Sequence, residues 1–264
     1  MKQVYAIIAN HNYGEYVGNA IKSALNQSYP TGVVVFNDGS SDDSEQRILE
    51  SLFPESSFDV EIQDDKTIYY KDNRIFINSK NCLGASEARN VAINLVWDKA
   101  DYFLILDADD EAYKNKVQRM LEAFKFPGVG VVYGDYHIYN TEKNITVPEY
   151  KKPFDLHTLQ YDCIVHSQSL ISKEALSSVL ENGKVYDASL HRPKTEEFQG
   201  CSEDWDLWLR ISEKWMIYHI PEFLSLVRVT GKNQSTPANV TPEIYTANVN
   251  HMRQKAKVRH GSTK

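Results

Sequence analysis

Three aspartates at the end of an apolar run are the residues of this sequence best suited to bind a cation. Asp107, Asp109 and Asp110 directly follow the run Tyr102–Leu106. Carboxylates this close repel one another unless a cation lies among them, and hard oxygen ligands suit Mg²⁺ or Mn²⁺ that bridges a diphosphate. The alternative is a solvated turn in which Asp110 or Glu111 favours the start of the next helix. The residues alone leave both interpretations open.

A second acidic group, Glu203-Asp204-Trp205-Asp206, opens a predicted amphipathic helix that extends to Glu213. One of its carboxylates could act as a general base if it faces a pocket and is ionised near neutral pH. The alternative is a cluster of acids that only favours the positive end of the helix dipole. Trp205 would then belong to the core rather than to a pocket wall.

Three further side chains are candidates for contact with a nucleotide or a reacting group. Asp38, in Asn-Asp-Gly-Ser-Ser after the second apolar run, could accept hydrogen bonds from a base or a ribose, although Asp-Gly is also a common turn. Arg89 lies one turn into a helix that starts at Gly84; it could reach a diphosphate or be an ordinary surface arginine. His166 is a lone histidine that could pack, form hydrogen bonds or take part in catalysis.

Apolar runs and helix-periodic segments alternate along the first half of the chain. We predict strands at Val4–Ala9, Val33–Phe36, Tyr102–Leu106 and Val129–Tyr133, with helices between them. This alternation predicts an α/β fold with a mostly parallel central sheet flanked by helices. Because ligands of such sheets bind beyond the carboxyl ends of the strands, the loops after the first three runs should lie together.

Less regular segments give additional predictions of local structure. They are a hairpin around Lys71–Arg74, a helix at Lys173–Leu180, strands at Ile217–Ile220 and Leu224–Val229 on either side of Pro221, and a helical tail from Pro242 with a basic face. Ser40 or Ser41 is expected to cap the helix around Ile48–Leu52.

Composition narrows the class of protein. With 42% apolar and 25% charged residues, the 264-residue chain is neither a disordered tail, a fibrous repeat nor a disulfide-rich module. Its formal charge of −7 argues against a general nucleic-acid binder, although residues 251–264 carry five cations and no acid. The three cysteines form no C-x-x-C pair, so we expect small buried side chains in a reducing compartment. With neither a signal peptide nor an apolar run of about 20 residues in the sequence, we expect a cytoplasmic protein.

The order of the candidate groups is more specific than any one of them. Over roughly residues 3–235 the sequence resembles the inverting family 2 glycosyltransferases of the GT-A fold, through five ordered motifs: Ile7-Ile8-Ala9-Asn10-His11-Asn12, Asn37-Asp38-Gly39-Ser40-Ser41-Asp42, Gly84-Ala85-Ser86-Glu87-Ala88-Arg89-Asn90, Leu106-Asp107-Ala108-Asp109-Asp110 and Glu203-Asp204-Trp205. The resemblance implies one Rossmann-like GT-A domain over residues 1–240. Its nucleotide-sugar half would span about 1–135 and its acceptor half about 136–240, followed by a basic helical tail at 241–264.

The resemblance also implies roles for single residues. Those expected to bind the nucleotide-sugar are Ala9, His11, Asn12, Asp38, Arg89 and Asp107, and those expected near a Mn²⁺ or Mg²⁺ ion are Asp109 and Asp110, within the DxD motif and beside it. Asp204 matches the catalytic base, and the residues expected on the acceptor side are Glu203, His166 and Trp205. Where the family often has Arg-x-His, this chain reads Arg228-Val229-Thr230, so a histidine ligand for the metal is missing from that position.

The implied reaction is metal-dependent transfer of a sugar, with inversion, from a nucleoside-diphosphate sugar to a hydroxyl; we expect a UDP-linked donor. The acceptor is open: a glycan, a lipid-linked sugar, a protein, a small molecule or a modified nucleic acid. The basic tail could touch an anionic membrane surface, and the oligomeric state is open. The alternatives are a non-catalytic nucleotide-sugar binding module and a nucleotidyl- or phosphotransferase, although the chain has no G-x-x-x-x-G-K-S/T loop.

Overall fold

A computed structural model describes residues 1–190, 202–231, 233 and 242–260 of the chain. The described strands form a single mixed sheet: β1 (Val4–Asn10), β2 (Thr31–Asp38), β3 (Asp59–Ile62), β4 (Lys66–Lys71), β5 (Arg74–Ser79), β6 (Tyr102–Ile105), β7 (Glu111–Ala112), β8 (Val129–Asn140), β9 (Ile145–Glu149), β10 (Leu170–Ser172) and β11 (Met216–Val229). The described α-helices are α1 (Gly14–Leu25), α2 (Ser44–Leu52), α3 (Ala85–Leu95), α4 (Lys116–Ala123), α5 (Leu156–Leu159), α6 (Lys173–Ser177), α7 (Glu203–Ile211) and α8 (Pro242–His260), with a 3₁₀ turn at Ala188–Leu190.

The centre of the sheet is parallel and its outer parts are mixed. Strands β5, β2, β1 and β6 lie side by side and run parallel, β10 then pairs antiparallel with both β6 and β8, and β11 runs parallel to β8. The β4–β3 hairpin extends one edge, β7 closes the other, and β9 pairs with β8. The predicted α/β fold with a parallel centre and the predicted hairpin at Lys71–Arg74 are therefore confirmed.

The central strands read as continuous apolar runs because both of their faces are buried. In β1, Tyr5 and Ile7 enter the core layer that includes Ala88 and Ile93 of α3. The alternate residue Ile8 enters the opposite layer with residues of α1. Since successive side chains of a strand point to opposite faces, helices cover the sheet on both sides.

A row of amides fixes the carboxyl ends of three neighbouring strands. The register pairs Asn10 with Asn37 and Asn37 with Asn78. Asn10 Nδ2 donates to Asn37 Oδ1 at 2.8 Å, and Asn37 Nδ2 donates to Asn78 Oδ1 at 2.9 Å. These buried bonds hold the loops that follow the strands at one edge of the sheet, where the sequence predicted a ligand site.

Several local predictions are wrong. Neither Ser40 nor Ser41 caps α2, which begins at Ser44 after Asp43, because the Ser40 hydroxyl instead accepts from Asn12 N at 2.9 Å. The two strands predicted around Pro221 are one strand with a shift of register, as expected for a residue without a backbone N–H.

The other differences concern one helix and the cysteines. Helix α6 ends at Ser177, three residues before the predicted end. Cys82 is exposed and Cys163 half-buried, so neither is a fully buried core residue, while Cys201 lies outside the described residues.

Within the predicted tail, Pro242–His260 form a helix, and this helix packs onto the rest of the protein. Val249 and Met252 of α8 are buried in the same core layer as α7. Lys255 Nζ lies 2.7 Å from Asp206 Oδ1 and 3.4 Å from Asp187 Oδ2, so this cation neutralises acids of the domain itself. Among the helices that the structure describes, none is both long and apolar enough to span a bilayer.

We expect Lys255→Met to lower the free energy of unfolding by about 1–2 kcal/mol. Asp206 is buried, and among the residues that the structure describes its carboxylate would retain only the bond from Arg210 Nε. Lys257→Met, at an exposed position two residues on, is the matched control and should leave stability unchanged. Urea unfolding of both variants measures the effect. Equal stability of Lys255→Met and the wild type would show that the tail contributes only its apolar contacts.

Candidate active site

A cavity of about 470 Å³ lies at the carboxyl ends of the central strands. Its wall includes most of the predicted site residues: Ala9, His11, Asp38, Arg89, Asp107, Asp109, Asp110, His166, Glu203 and Asp204. Asn12 and Trp205 are not part of that wall. The strand ends and the start of α7 thus meet around one space, although they are far apart in sequence.

Asp38 connects the end of β2 to the loop that precedes α3. Its Oδ1 accepts from Leu83 N and its Oδ2 from Gly84 N, both at 2.7 Å. Gly84 has a φ of 88°, a backbone conformation that side-chain-bearing residues rarely adopt. The Asp38 carboxylate therefore places the start of α3, and its contact with a nucleoside stays a prediction.

His11 and Asn12 shape the loop after β1. His11 Nδ1 lies 2.7 Å from the Asp38 carbonyl oxygen, which can only accept, so Nδ1 carries the proton. The Asn12 amide is engaged by protein, since its Oδ1 accepts from Ser41 N at 2.8 Å. Asn12 therefore joins the loops after β1 and β2, and His11 is the member of this pair that faces the cavity.

Arg89 lies at the centre of a cluster of carboxylates. Its Nη1 donates to Glu203 Oε1 at 3.1 Å and lies 3.7 Å from Asp204 Oδ1, and its Nη2 donates to Asp107 Oδ1 at 2.8 Å. The residue is 7% exposed, so the alternative of an ordinary surface arginine is wrong. Burial disfavours the guanidinium charge, but Asp204 and Asp107 raise its pKa well above the usual value. Arg89 therefore holds three acids together, from the end of β6 and the start of α7.

Asp204 has the protonation behaviour that a general base needs. Burial raises its pKa to about 7; Arg89 opposes this effect, whereas Glu203 and Asp107 add to it. A carboxyl group with such a pKa can take a proton near neutral pH and is much more basic than an ordinary aspartate. The alternative that these acids only favour a helix dipole does not account for their convergence on Arg89.

The aspartates after β6 differ in their surroundings. Asp107 Oδ2 accepts from Ser167 Oγ at 3.1 Å, and Asp109 Oδ2 accepts from Asn233 Nδ2 at 2.7 Å. Both carboxylate oxygens of Asp110 accept hydrogen bonds, Oδ1 from Arg228 N at 2.7 Å and Oδ2 from Gln168. Protein donors thus occupy both oxygens of Asp110, which leaves Asp109 better placed to bind a cation.

These acids fit a divalent cation that is shared with a bound phosphate. Burial and the Asp107 charge raise the pKa of Asp109 to about 7, and burial together with the Asp109 charge raises the pKa of Asp110 well above its usual value. A bound cation would lower the free-energy cost of ionising these buried, neighbouring carboxyl groups. Among the described residues, no three Asp, Glu, His or Cys side chains converge enough to enclose a metal. Mg²⁺ commonly binds one or two carboxylates and completes its shell with phosphate and water. Asp109 and Asp110 are therefore enough protein ligands for such an ion.

His166 and Trp205 have different surroundings. His166 packs against Tyr136 with ring centroids 4.2 Å apart, and its Nδ1 accepts from Gln168 N at 3.3 Å. Burial lowers the pKa of His166 well below its usual value, so it is neutral and could contact an acceptor only as a hydrogen-bonding group. Trp205 is buried and donates from Nε1 to Leu159 O at 2.6 Å, which makes it part of the core.

The match to a known family decides the class of the protein. Residues 5–180, more than half of the chain, match the family described as glycosyl transferase family 2. The chain belongs to glycosyl transferase family 2. The resemblance read from the five motifs is therefore confirmed.

Two curated relatives of the chain are distant and longer than it. Glycosyltransferase GlyG of Streptococcus pneumoniae is 24% identical over 210 residues, which are 72% of this chain and 64% of GlyG. The teichoic acid poly(glycerol phosphate) polymerase of Staphylococcus epidermidis is 23% identical over 210 residues, which are 79% of this chain and 26% of the polymerase. This family 2 chain thus spans less than two thirds of the length of either relative.

A solved structure shows the same fold. The crystal structure of S. aureus TarS 1-349 in complex with UDP-GlcNAc aligns with a TM-score of 0.62 and 14% identity, over 99% of this chain and 73% of that one. Together with the family match, this likeness confirms the predicted GT-A fold.

Several residues of the family 2 cavity were missed from sequence. Asn233 and Ser167, which bind Asp109 and Asp107, lie in loops without a motif. Lys116, which is not part of the cavity wall, was also missed: it is 1% exposed and donates to Ser225 Oγ at 2.5 Å, and burial lowers its pKa to about 7. Its position at the start of a helix gives no sequence signal of that burial.

Proposed function

We propose that this chain transfers a sugar from a UDP-linked donor to an acceptor hydroxyl, with inversion at the anomeric carbon. The observation that carries the proposal is the single cavity in which Asp204, with a pKa of about 7, faces the acids at the end of β6 across Arg89. Family membership supports transfer of a sugar, and the UDP-GlcNAc complex of TarS, a protein of the same fold, supports a UDP-linked donor.

The proposed step is one displacement. Asp204 accepts the proton of the acceptor hydroxyl, whose oxygen forms a bond to the anomeric carbon while the bond from that carbon to the diphosphate oxygen breaks. Arg89 keeps Asp204 and Asp107 in place, and its positive charge favours the ionised form of the base. The nucleoside diphosphate leaves with the electron pair of the broken bond.

A divalent cation, Mn²⁺ or Mg²⁺, is part of the proposal. Asp109 would hold it, with Asp110 beside it, and its chemistry would be to neutralise charge that develops on the departing diphosphate. Asn233 orients the Asp109 carboxylate through the bond from its amide.

The acceptor is proposed to be a hydroxyl group of a glycopolymer. The teichoic acid polymerase among the relatives makes a phosphate-containing chain the first acceptor to test. His166 and Glu203, which line the same cavity as Asp204, are the residues proposed to meet it.

The proposal predicts which donor the protein binds and what that binding requires. Calorimetry and donor hydrolysis with UDP-, GDP-, CDP- and TDP-sugars, each with Mn²⁺ and with EDTA, should show a preference for UDP-sugars. Removal of the cation should slow hydrolysis by about 100-fold or more. Asp109→Asn should lose the response to Mn²⁺, whereas Asp98→Asn, at an exposed position outside the cavity, should keep it.

Three results would contradict parts of this proposal. Hydrolysis of none of the four donor classes, together with failure to bind them, overturns the transferase. Binding without hydrolysis or transfer indicates a nucleotide-sugar binding module. Full hydrolysis in EDTA overturns the role of the cation and leaves that of Asp204 intact.

A further inference from the structure

Tyr186 is a buried residue whose hydroxyl is not explained by packing. Its side chain is 1% exposed, and its hydroxyl makes no hydrogen bond to any residue that the structure describes. A buried polar group without a partner destabilises the folded protein. A phenylalanine would fill the same space without that cost, so the hydroxyl needs another explanation.

The backbone of Tyr186 is held tightly by the residue next to Arg89. Asn90 Nδ2 donates to Tyr186 O at 2.9 Å, while Asn90 Oδ1 accepts from Val185 N at 3.0 Å and from Tyr186 N at 2.9 Å. From α7, Arg210 Nη2 donates to Val185 O at 2.6 Å. Helices α3 and α7, which carry Arg89 and Asp204, therefore both fix the position of this tyrosine.

The ring of Tyr186 packs against one of the proposed catalytic groups. Arg89 Cζ lies over the ring, 5.5 Å from its centroid, so the ring supports the guanidinium that contacts Asp204. Burial raises the pKa of the phenol well above its usual value, and Asp204 is the charged group that adds most to this effect. The phenol therefore keeps its proton and can only be a donor to a nearby carboxylate.

Asp204 offers the matching acceptor. Its Oδ1 is buried and accepts no hydrogen bond from the described residues. The charged groups that act on it are Arg89 from α3, Glu203 from its own helix and Asp107 after β6, and only Arg89 favours the ionised form. A phenol adds a hydrogen bond to the carboxylate without adding another charge.

We propose that Tyr186 is a positioning residue for the catalytic base. Its ring packs against Arg89, and its hydroxyl donates a hydrogen bond to ionised Asp204 during catalysis. This inference rests on the proposed function, because it requires Asp204 to be the base. A donor that binds only the ionised carboxylate makes that form available at lower pH.

The test is the pH dependence of kcat/KM for Tyr186→Phe. Activity should rise with pH as Asp204 loses its proton, and in the variant this rise should shift upward by about one pH unit. At a pH below the rise the variant should be about tenfold slower, and at high pH the two proteins should approach the same rate. Its melting temperature should equal or exceed that of the wild type, because the hydroxyl removed has no partner among the described residues.

Tyr133→Phe is the matched control, because the hydroxyl of Tyr133 donates to Lys152 O at 2.6 Å. This variant should melt at a lower temperature and keep the wild-type pH profile. A Tyr186→Phe variant that is unchanged, or slowed equally at every pH, overturns the role of Tyr186. A wild type that transfers no sugar overturns the proposed function, and with it the base, so the two failures are distinguishable.

Discussion

Asp204→Asn is expected to reduce sugar transfer by about 10²–10⁴-fold while nucleotide binding stays within a few-fold of the wild type. The asparagine keeps the size of the side chain but cannot take a proton from the acceptor hydroxyl. Its neighbours Arg89 and Glu203 retain their own hydrogen bond at 3.1 Å, so the cavity keeps its shape. Transfer kinetics and calorimetry with UDP measure the two effects separately.

The pH dependence gives a second measurement of the same residue. Since burial raises the pKa of Asp204 to about 7, transfer by the wild type should rise through that pH as the base ionises. The variant should lose this rise. The folded-state pKa lies above the ordinary value, so Asp204 favours the folded state at low pH, and this contribution is lost as pH rises towards 7. Asp204→Asn should therefore melt at the same or a higher temperature than the wild type at pH 8.

Asp162→Asn is the control for this pair of measurements, because Asp162 is exposed and lies outside the cavity wall. It should keep both the rate and the pH profile. If Asp204→Asn instead weakens UDP binding as much as it slows transfer, Asp204 is a donor-binding residue and another group is the base.

The positions of the strand-end residues could be predicted because the physics that places them is local. Val4–Ala9 and Tyr102–Leu106 read as strands buried on both faces, and parallel neighbours bring their carboxyl ends to one edge. Ala9, Asp38 and Asp107 had to lie together once the strands were adjacent, and the structure places them in one cavity.

What these side chains bond to could not be predicted, because it depends on partners remote in sequence. Asp38 carries no signal that its carboxylate holds Leu83 and Gly84, and Arg89 reads as either a surface residue or a phosphate ligand. Periodicity assigns a residue to a face of a helix but cannot show that three carboxylates converge there. Tyr186 was missed for the same reason, since no local sequence signal relates its hydroxyl to Asp204.

Arg89→Lys is expected to lower kcat/KM at pH 7 by about 10²–10³-fold. The guanidinium contacts Asp107 and Glu203 with different nitrogens and lies 3.7 Å from Asp204. A lysine ammonium is a compact charge that cannot bridge acids on both sides of the cavity. Asp204 then loses much of the attraction that favours its ionised form, so the rise of activity with pH should move above 7. A pH–rate profile with a melting curve at each pH measures this.

The size of the effect depends on burial, and a surface arginine provides the comparison. Arg47 pairs with Asp43 at 2.9 Å, but both side chains are about half exposed. Arg47→Lys should therefore leave both the stability and the pH profile almost unchanged. Arg89 is 7% exposed and lies among three carboxylates. A profile for Arg89→Lys that coincides with that of Arg47→Lys would show that the buried cluster holds the helices together without influencing the base.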